Sequence, residues 1–205
     1  MIRVTEQSSC NETFKRVSTF TANQPHHAVV VRLFDQSSTM GAASAEEMAD
    51  IAGQCEKALA ATGKRVRLID IVFDSHVRVL LRPRFAQANP NNLDLRMGGG
   101  TNIREALETA VSEFLVARPA NSVVAHTPLE VLLLVSDGKY NAKARPDAAL
   151  QALKSSGVQI VAIAAGSDAN LERLQELASS PAHVYTPQIS GISNLLRALH
   201  VYATA

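Results

Sequence analysis

Apolar residues recur along this chain in two alternating rhythms. Near-continuous β-branched and aliphatic runs lie at 28–34 (AVVVRLF), 66–73 (VRLIDIVF), 131–136 (VLLLVS) and 158–165 (VQIVAIAA). Runs of this kind predict strands buried on both faces, as in a parallel sheet. Between them, apolar positions return every third or fourth residue. Met48, Ile51, Ala52, Cys55, Leu59 and Thr62 predict a helix, opened by Ser44 at capping-box spacing from Glu47 and closed by Gly63. Ile103, Ala106, Leu107, Ala110, Val111, Phe114 and Leu115 predict a second, with Asn102 and Glu105 at cap spacing. Pro146 stands where a third helix would begin, running to about Ser156. A fourth is expected around Leu171 to Ala178, a short strand near His183-Val184-Tyr185, and a last amphipathic helix from Ile189 to Tyr202.

The runs VRLIDIVF and HVRVLLR meet at Asp74-Ser75, which predicts a hairpin and one antiparallel strand at a sheet edge. The Asn- and Pro-rich stretch from Arg84 to Met97 reads as a loop. All other connections are crossovers between strands and helices. The fold class expected is α/β, an open and mostly parallel sheet with helices on both faces. No internal repeat or linker divides the chain, so residues 26–205 are expected to form one domain, with the polar residues 1–25 as an N-terminal arm or extension.

Composition narrows the function classes. A 46% hydrophobic and 19% charged balance over 205 residues is that of an ordinary globular domain and argues against disorder. A net charge of +1, few aromatics and no Trp give neither a field nor a stacking surface for nucleic acid. No apolar stretch is long enough to span a bilayer, and the first residues lack the apolar core of a signal peptide. Cys10 and Cys55 have no CxxC partner, so a reducing, cytoplasmic location is expected, with Cys55 acting as a small buried hydrophobe. The basic residues Lys64, Arg65, Arg67, Arg78, Arg82 and Arg84 along the hairpin are read as protection of an edge strand. His26-His27 is read as surface, since neighbours on a strand point to opposite faces.

The chemistry gathers at strand ends. Ligands of open α/β sheets sit outside the carboxyl ends of the strands, and three loops there carry oxygen donors. Asp35 ends the first strand, with Ser37 and Thr39 two and four residues on; Thr101 stands between three glycines and a helix start; Asp137 ends another strand and precedes Gly138. The set is two carboxylates and three hydroxyls, without a nearby His or Cys. Such an all-oxygen set favours a hard ion, Mg²⁺ or Mn²⁺, with water completing an octahedral shell. With only two formal negative charges, the ion stays electrophilic enough to welcome a carboxylate from another molecule.

These elements resemble a known family. DQSSTMG is similar to the DxSxS motif that opens the metal-ion-dependent adhesion site of von Willebrand factor A domains. GGGTN looks like that family's threonine loop, and LLLVSDGK like its terminal aspartate loop. The resemblance covers about residues 27–203 and implies a doubly wound, six-stranded sheet with one antiparallel edge strand. It also implies Mg²⁺ (with Mn²⁺ or Ca²⁺ as alternatives) held by Ser37, Thr39 and Thr101 with Asp35 and Asp137 close by. A protein partner's Asp or Glu would complete the shell; neither nucleic acid nor membrane enters this reading. The expected role is a non-catalytic adaptor, similar to the stand-alone bacterial domains of tellurite-resistance and stress systems; in some family members the last helix moves on binding, a motion the sequence here does not show. The sequence departs from the pattern at Ser38, where the family commonly has Gly, and at Thr39, where it has Ser.

Two other readings stand beside this one. A haloacid-dehalogenase-like Mg²⁺-dependent phosphotransferase also places an aspartate after its first strand. Here, however, the DxDx[TV] pattern lacks its second Asp, the general acid/base. A metal-independent scaffold that keeps the fold is the other. Each motif also has a simpler explanation as a cap or turn: Asp35 to Thr39 as a capping loop, Thr101 as an N-cap, Asp137-Gly138 as a turn.

Overall fold

The computed structural model describes residues 28–40, 45–63, 65–88, 93, 95–118, 128–141 and 145–186. The expected N-terminal arm, His26-His27, the Ser44 cap, Lys64 and the helix from Ile189 to Tyr202 lie outside them. The chain runs β1 (Ala28–Asp35), α1 (Ala45–Ala61), β2 (Val66–Phe73), β3 (Val77–Phe85), α2 (Ile103–Ala117), β4 (Leu129–Ser136), α3 (Asp147–Ser155), β5 (Gln159–Ala164), α4 (Leu171–Leu177) and β6 (Val184–Tyr185). The strands form one six-stranded sheet in the order β3-β2-β1-β4-β5-β6. All neighbours are parallel except the β2–β3 hairpin, which puts β3 at an edge as expected.

Side-chain alternation divides the buried residues into two layers. Val30, Phe34, Leu68, Val72, Leu133 and Ile163 pack with Met48, Ile51, Cys55 and Leu59 of α1 on one face. Val29, Val31, Leu33, Ile69, Ile71, Leu132 and Ile160 pack with α2, α3 and α4 on the other. The continuous apolar runs of the sequence are thus strands covered on both sides. Cys55 is fully buried, and burial pushes its thiol up to about 11, so it is protonated and inert at neutral pH. Among the described residues no helix is long and apolar enough to cross a membrane.

Charge inside the α1 layer was not legible in the sequence. Arg32, in the middle of β1, is fully buried. The parallel register sets it opposite Asp70 of β2. Its guanidinium makes bonds of 2.6 and 2.9 Å to the two Asp70 oxygens, donates to the Ala52 carbonyl at 2.7 Å and reaches Glu56 of α1 at 3.3 Å. Arg84 of β3 closes the cluster, bonding Glu56 in a fork and Asp70 at 3.1 Å. Two cations and two carboxylates cancel, and together they tie α1 to three strands.

This cluster corrects two expectations. Arg84 and Phe85 belong to β3, not to the following loop. The Pro-containing segment stays in the edge strand because the β2–β3 register shifts between Leu68 and Asp70, where a bulge accommodates proline. Arg67 and Arg84 are also not surface charges guarding an edge: Arg67 is buried and donates to the Ala117 carbonyl at 3.3 Å. Burial lowers the Arg67 pKa, opposed by the nearby Glu113. On α2, Glu113 is buried beside Arg67, whereas Leu115, expected on the apolar face, is 60% exposed. At α3, Pro146 caps the helix rather than starting it.

Removing one member of a buried ion cluster leaves its partners uncompensated. Asp70→Ala is expected to cost about 3–5 kcal/mol in urea unfolding; a loss under about 1 kcal/mol would contradict the account. A second test concerns the turn after β4. Gly138 has φ +72°, and a Cβ there would lie 2.7 Å from the Asn170 carbonyl oxygen and 3.0 Å from Leu174. Gly138→Ala is expected to lose about 1–3 kcal/mol, visible as a lower Tm; a melting curve like that of the parent protein would show the turn to be tolerant.

Candidate metal centre

Strand order reverses its winding between β1 and β4, and the crevice there is where doubly wound sheets take ligands. The parallel register pairs Phe34 with Val135, so Asp35 and Ser136 leave the sheet side by side. Ser136 donates its hydroxyl to Asp35 Oδ2 at 2.7 Å. Asp35 Oδ1 accepts the Ser37 amide at 2.9 Å, which folds the chain back over the strand end. Both carboxylate oxygens of Asp35 are therefore occupied by the protein itself.

That turn aligns the hydroxyls. Ser37 Oγ lies 2.8 Å from Thr39 Oγ1, and Thr39 Oγ1 lies 3.5 Å from Thr101 Oγ1. Asp137 stands next to this row, near enough for the Thr39 hydroxyl to lower its pKa. All five residues singled out in the sequence are thus brought to one place. Asp35, Ser37 and Asp137 are its fully buried members. Thr39 and Thr101 line an open depression of about 680 Å³, together with Lys139, Tyr140 and Arg173.

Hydrogen bonds hold the first loop, the glycine loop and the β2–β3 turn together. Gln36 donates to the Phe73 carbonyl and accepts from Gly98, each at 2.7 Å. The Ser38 amide and hydroxyl both donate to the Gly99 carbonyl, at 3.0 and 2.8 Å. Ser38, a departure from the resembled pattern, therefore clasps the first loop to the glycine loop. Gly99 has φ +75°, and a Cβ there would stand 3.0 Å from the Ser75 hydroxyl, itself the acceptor of the Gly100 amide at 2.7 Å. Asn102 donates its amide to Asp74 at 2.7 Å and accepts the Glu105 amide as the N-cap of α2. Asn102, and not Thr101, is therefore the N-cap, which leaves the Thr101 hydroxyl to face Thr39.

The electrostatics leave one carboxylate oxygen without a hydrogen bond. Burial pushes the Asp35 carboxyl up to about 6, against the hydrogen bonds from Ser37 and Ser136 and with Asp137 adding repulsion. Burial also raises Asp137, against the Lys139 amide and ammonium and the Thr39 hydroxyl. Asp137 Oδ1 accepts the Lys139 amide at 2.8 Å, but Oδ2 is buried and accepts no hydrogen bond. A buried carboxylate oxygen in that state is costly unless a cation or a donor meets it. Among the described residues no three His, Cys, Asp or Glu side chains converge on one point. Any ion here would be held by hydroxyls, Asp137 and donors from outside, a fit for a hard cation and not for a thiophilic one.

Some participants were not read from the sequence. Met40 is buried beneath the site, and its sulfur lies 3.2 Å from the Asp137 amide. Gln36, also buried, is held through its carbonyl by Arg78 at 2.9 Å. Ser136 carried a signal, a hydroxyl residue directly before the strand-end aspartate; Met40 and Gln36 carried none.

Several known folds share this arrangement of strands. The mussel byssus proximal thread matrix protein 1 is 22% identical, with a TM-score of 0.63 over 87% of this chain and 46% of its own. The form of that protein with a zinc-occupied MIDAS motif scores 0.62, at 19% identity over 85% and 46%. BatB from Bacteroides thetaiotaomicron scores 0.64 at 13% identity, over 87% of this chain and all of its own. Manganese-loaded TRAP from Plasmodium vivax scores 0.58 at 15% identity, over 87% and 74%. This chain spans less than half of the mussel protein, and at such identities the likeness shows the fold alone. No curated protein matches the chain. The von Willebrand factor type A domain model, however, matches residues 30–196. With both the sheet order and that sequence match in hand, the chain belongs to the von Willebrand factor type A domain family.

Proposed function

We propose that this domain is a metal-dependent protein-interaction module. A divalent cation would sit on the hydroxyls of Ser37, Thr39 and Thr101, with Asp137 beside it and Asp35 behind, and an Asp or Glu of a protein partner would supply a further ligand. The observation that carries the reading is the buried, unbonded Asp137 Oδ2 next to a row of three hydroxyls. Oxygen-only donors favour Mg²⁺, with Mn²⁺ or Ca²⁺ as alternatives. The manganese and zinc of the related folds agree in charge.

Each residue has a distinct task. Each Asp35 oxygen accepts one bond from the protein itself, from the Ser37 amide and the Ser136 hydroxyl. Asp35 orients Ser37, and through it the hydroxyl row. Ser38 and Ser75 fix the glycine loop so that Thr101 faces Thr39. When bound, the cation supplies the charge that draws in a partner's carboxylate. We read the site as non-catalytic, because Ser37 stands where a phosphotransferase would need its general acid. The same reading extends, on the resemblance of the motifs alone, to a cytoplasmic bacterial multi-component system of the tellurite-resistance type.

Calorimetry with Mg²⁺ and Mn²⁺ tests the proposal. The parent protein is expected to bind, and Thr101→Ala and Asp35→Ala to bind about tenfold more weakly or worse, with circular dichroism unchanged. Partner capture should then require Mg²⁺ and fail in chelator. Capture that is equally strong in chelator would establish a metal-independent scaffold instead.

A further inference from the structure

Lys139 sits between two carboxylates, one in the candidate metal centre and one outside it. Its amide donates to Asp137 Oδ1 at 2.8 Å, which pins the start of the side chain against the site. Its ammonium lies 3.9 Å from Asp137 Oδ2, the oxygen that accepts no hydrogen bond. That separation gives charge compensation without a bond. On its other side the ammonium forms an ion pair with Asp168, in the loop after β5. Asp137 is fully buried, whereas the Asp168 side chain is 64% exposed. Lys139 also lines the depression into which Thr39 and Thr101 open.

An ion held by those hydroxyls and Asp137 would use the same carboxylate and meet the ammonium as a like charge at close range. Like charges a few ångströms apart beside a buried group repel strongly, and less so as salt rises. The lysine stem is flexible and its charge compact, so the head can shift between two anionic neighbours at little cost. Asp168 is placed to hold it away from Asp137.

We propose that Lys139 is a tethered cation that competes with the metal for Asp137, and that Asp168 sets the metal affinity by drawing Lys139 off. This rests on the metal reading above and adds an affinity control built from the chain's own residues. Without metal the ammonium is shared, paired with Asp168 and 3.9 Å from Asp137 Oδ2. A bound ion would leave it to Asp168 alone.

Mn²⁺ calorimetry on four purified proteins tests this: the parent, Lys139→Met, Asp168→Asn and the double variant. Lys139→Met is expected to bind about three- to tenfold more tightly at low salt, with the gain shrinking as ionic strength rises. Asp168→Asn is expected to bind more weakly than the parent, because Lys139 then has only Asp137. In the Lys139→Met background the same Asp168→Asn change is expected to have little effect, since its action runs through the lysine. Lys139→Arg, which keeps the charge, should resemble the parent more than Lys139→Met. Binding in Lys139→Met but not in the parent at millimolar Mn²⁺ would also support the proposal. If the parent binds and Lys139→Met binds equally or more weakly, the competition is refuted while the metal reading stands. The same holds if Asp168→Asn weakens both backgrounds alike, for Asp168 would then act directly on the ion. If neither the parent nor Lys139→Met binds at millimolar Mn²⁺, both readings fall together.

Discussion

Asp35 leaves β1 beside Ser136 of β4, and the 2.7 Å bond between them lies in a region closed to solvent. The in-register pairing of these two parallel strands forces a carboxylate from each into one crevice. Both carboxylates are buried, so each calls for a hydrogen-bond or charge partner. Asp35 is met fully, by an amide and a hydroxyl. Asp137 is met by half, through Oδ1 alone. The loops, the hydroxyl row and the position of Lys139 all follow from that unequal treatment. The satisfied carboxylate organises, and the unsatisfied one attracts positive charge.

A site of this kind needs a rigid base, because hydroxyls displaced by an ångström no longer converge. Stiffness comes from the middle of the same strands. Arg32, in the middle of β1, fastens α1, β2 and β3 through Asp70, Glu56 and Arg84. That cluster sits in the α1 layer, and α1 follows the Ser37–Thr39 loop in the chain. The helix after the site and the strand before it are thus bound to each other through the core. A buried cluster of balanced charge adds little net stability against an apolar core, but it is intolerant of alternative registers.

Much of this was legible in the sequence, and the reasons for the rest are specific. The strands were visible because burial on both faces requires unbroken apolar runs. The mostly parallel sheet and its antiparallel edge strand followed from crossover connections and from the hairpin at Asp74. The residues at the candidate site could be named because chain reversals at strand ends place their side chains in one crevice. The buried ion cluster stayed hidden because a lone Arg32 in AVVVRLF, or a Glu56 in a helix, looks like a solvated charge until its partners from distant strands are known. Arg84 and Phe85 were lost to a loop because Pro83 breaks the strand signal, and only pairing with Leu68 and Arg67 restores it. Leu115 was misplaced because the buried side of that turn is taken by Glu113, which lies near Arg67 of a neighbouring strand. The Lys139–Asp168 pair spans two loops whose proximity only the sheet creates.

The central claim is that three separate loops form one cation site. Paramagnetic broadening of backbone amide signals on adding trace Mn²⁺ tests it most directly, because it reports position and does not depend on knowing a partner. The account predicts that amides of 37–39, 99–102 and 137–139 broaden together and first, and that excess Mg²⁺ restores them. Broadening centred elsewhere, or confined to scattered surface carboxylates while these loops stay sharp, would contradict it.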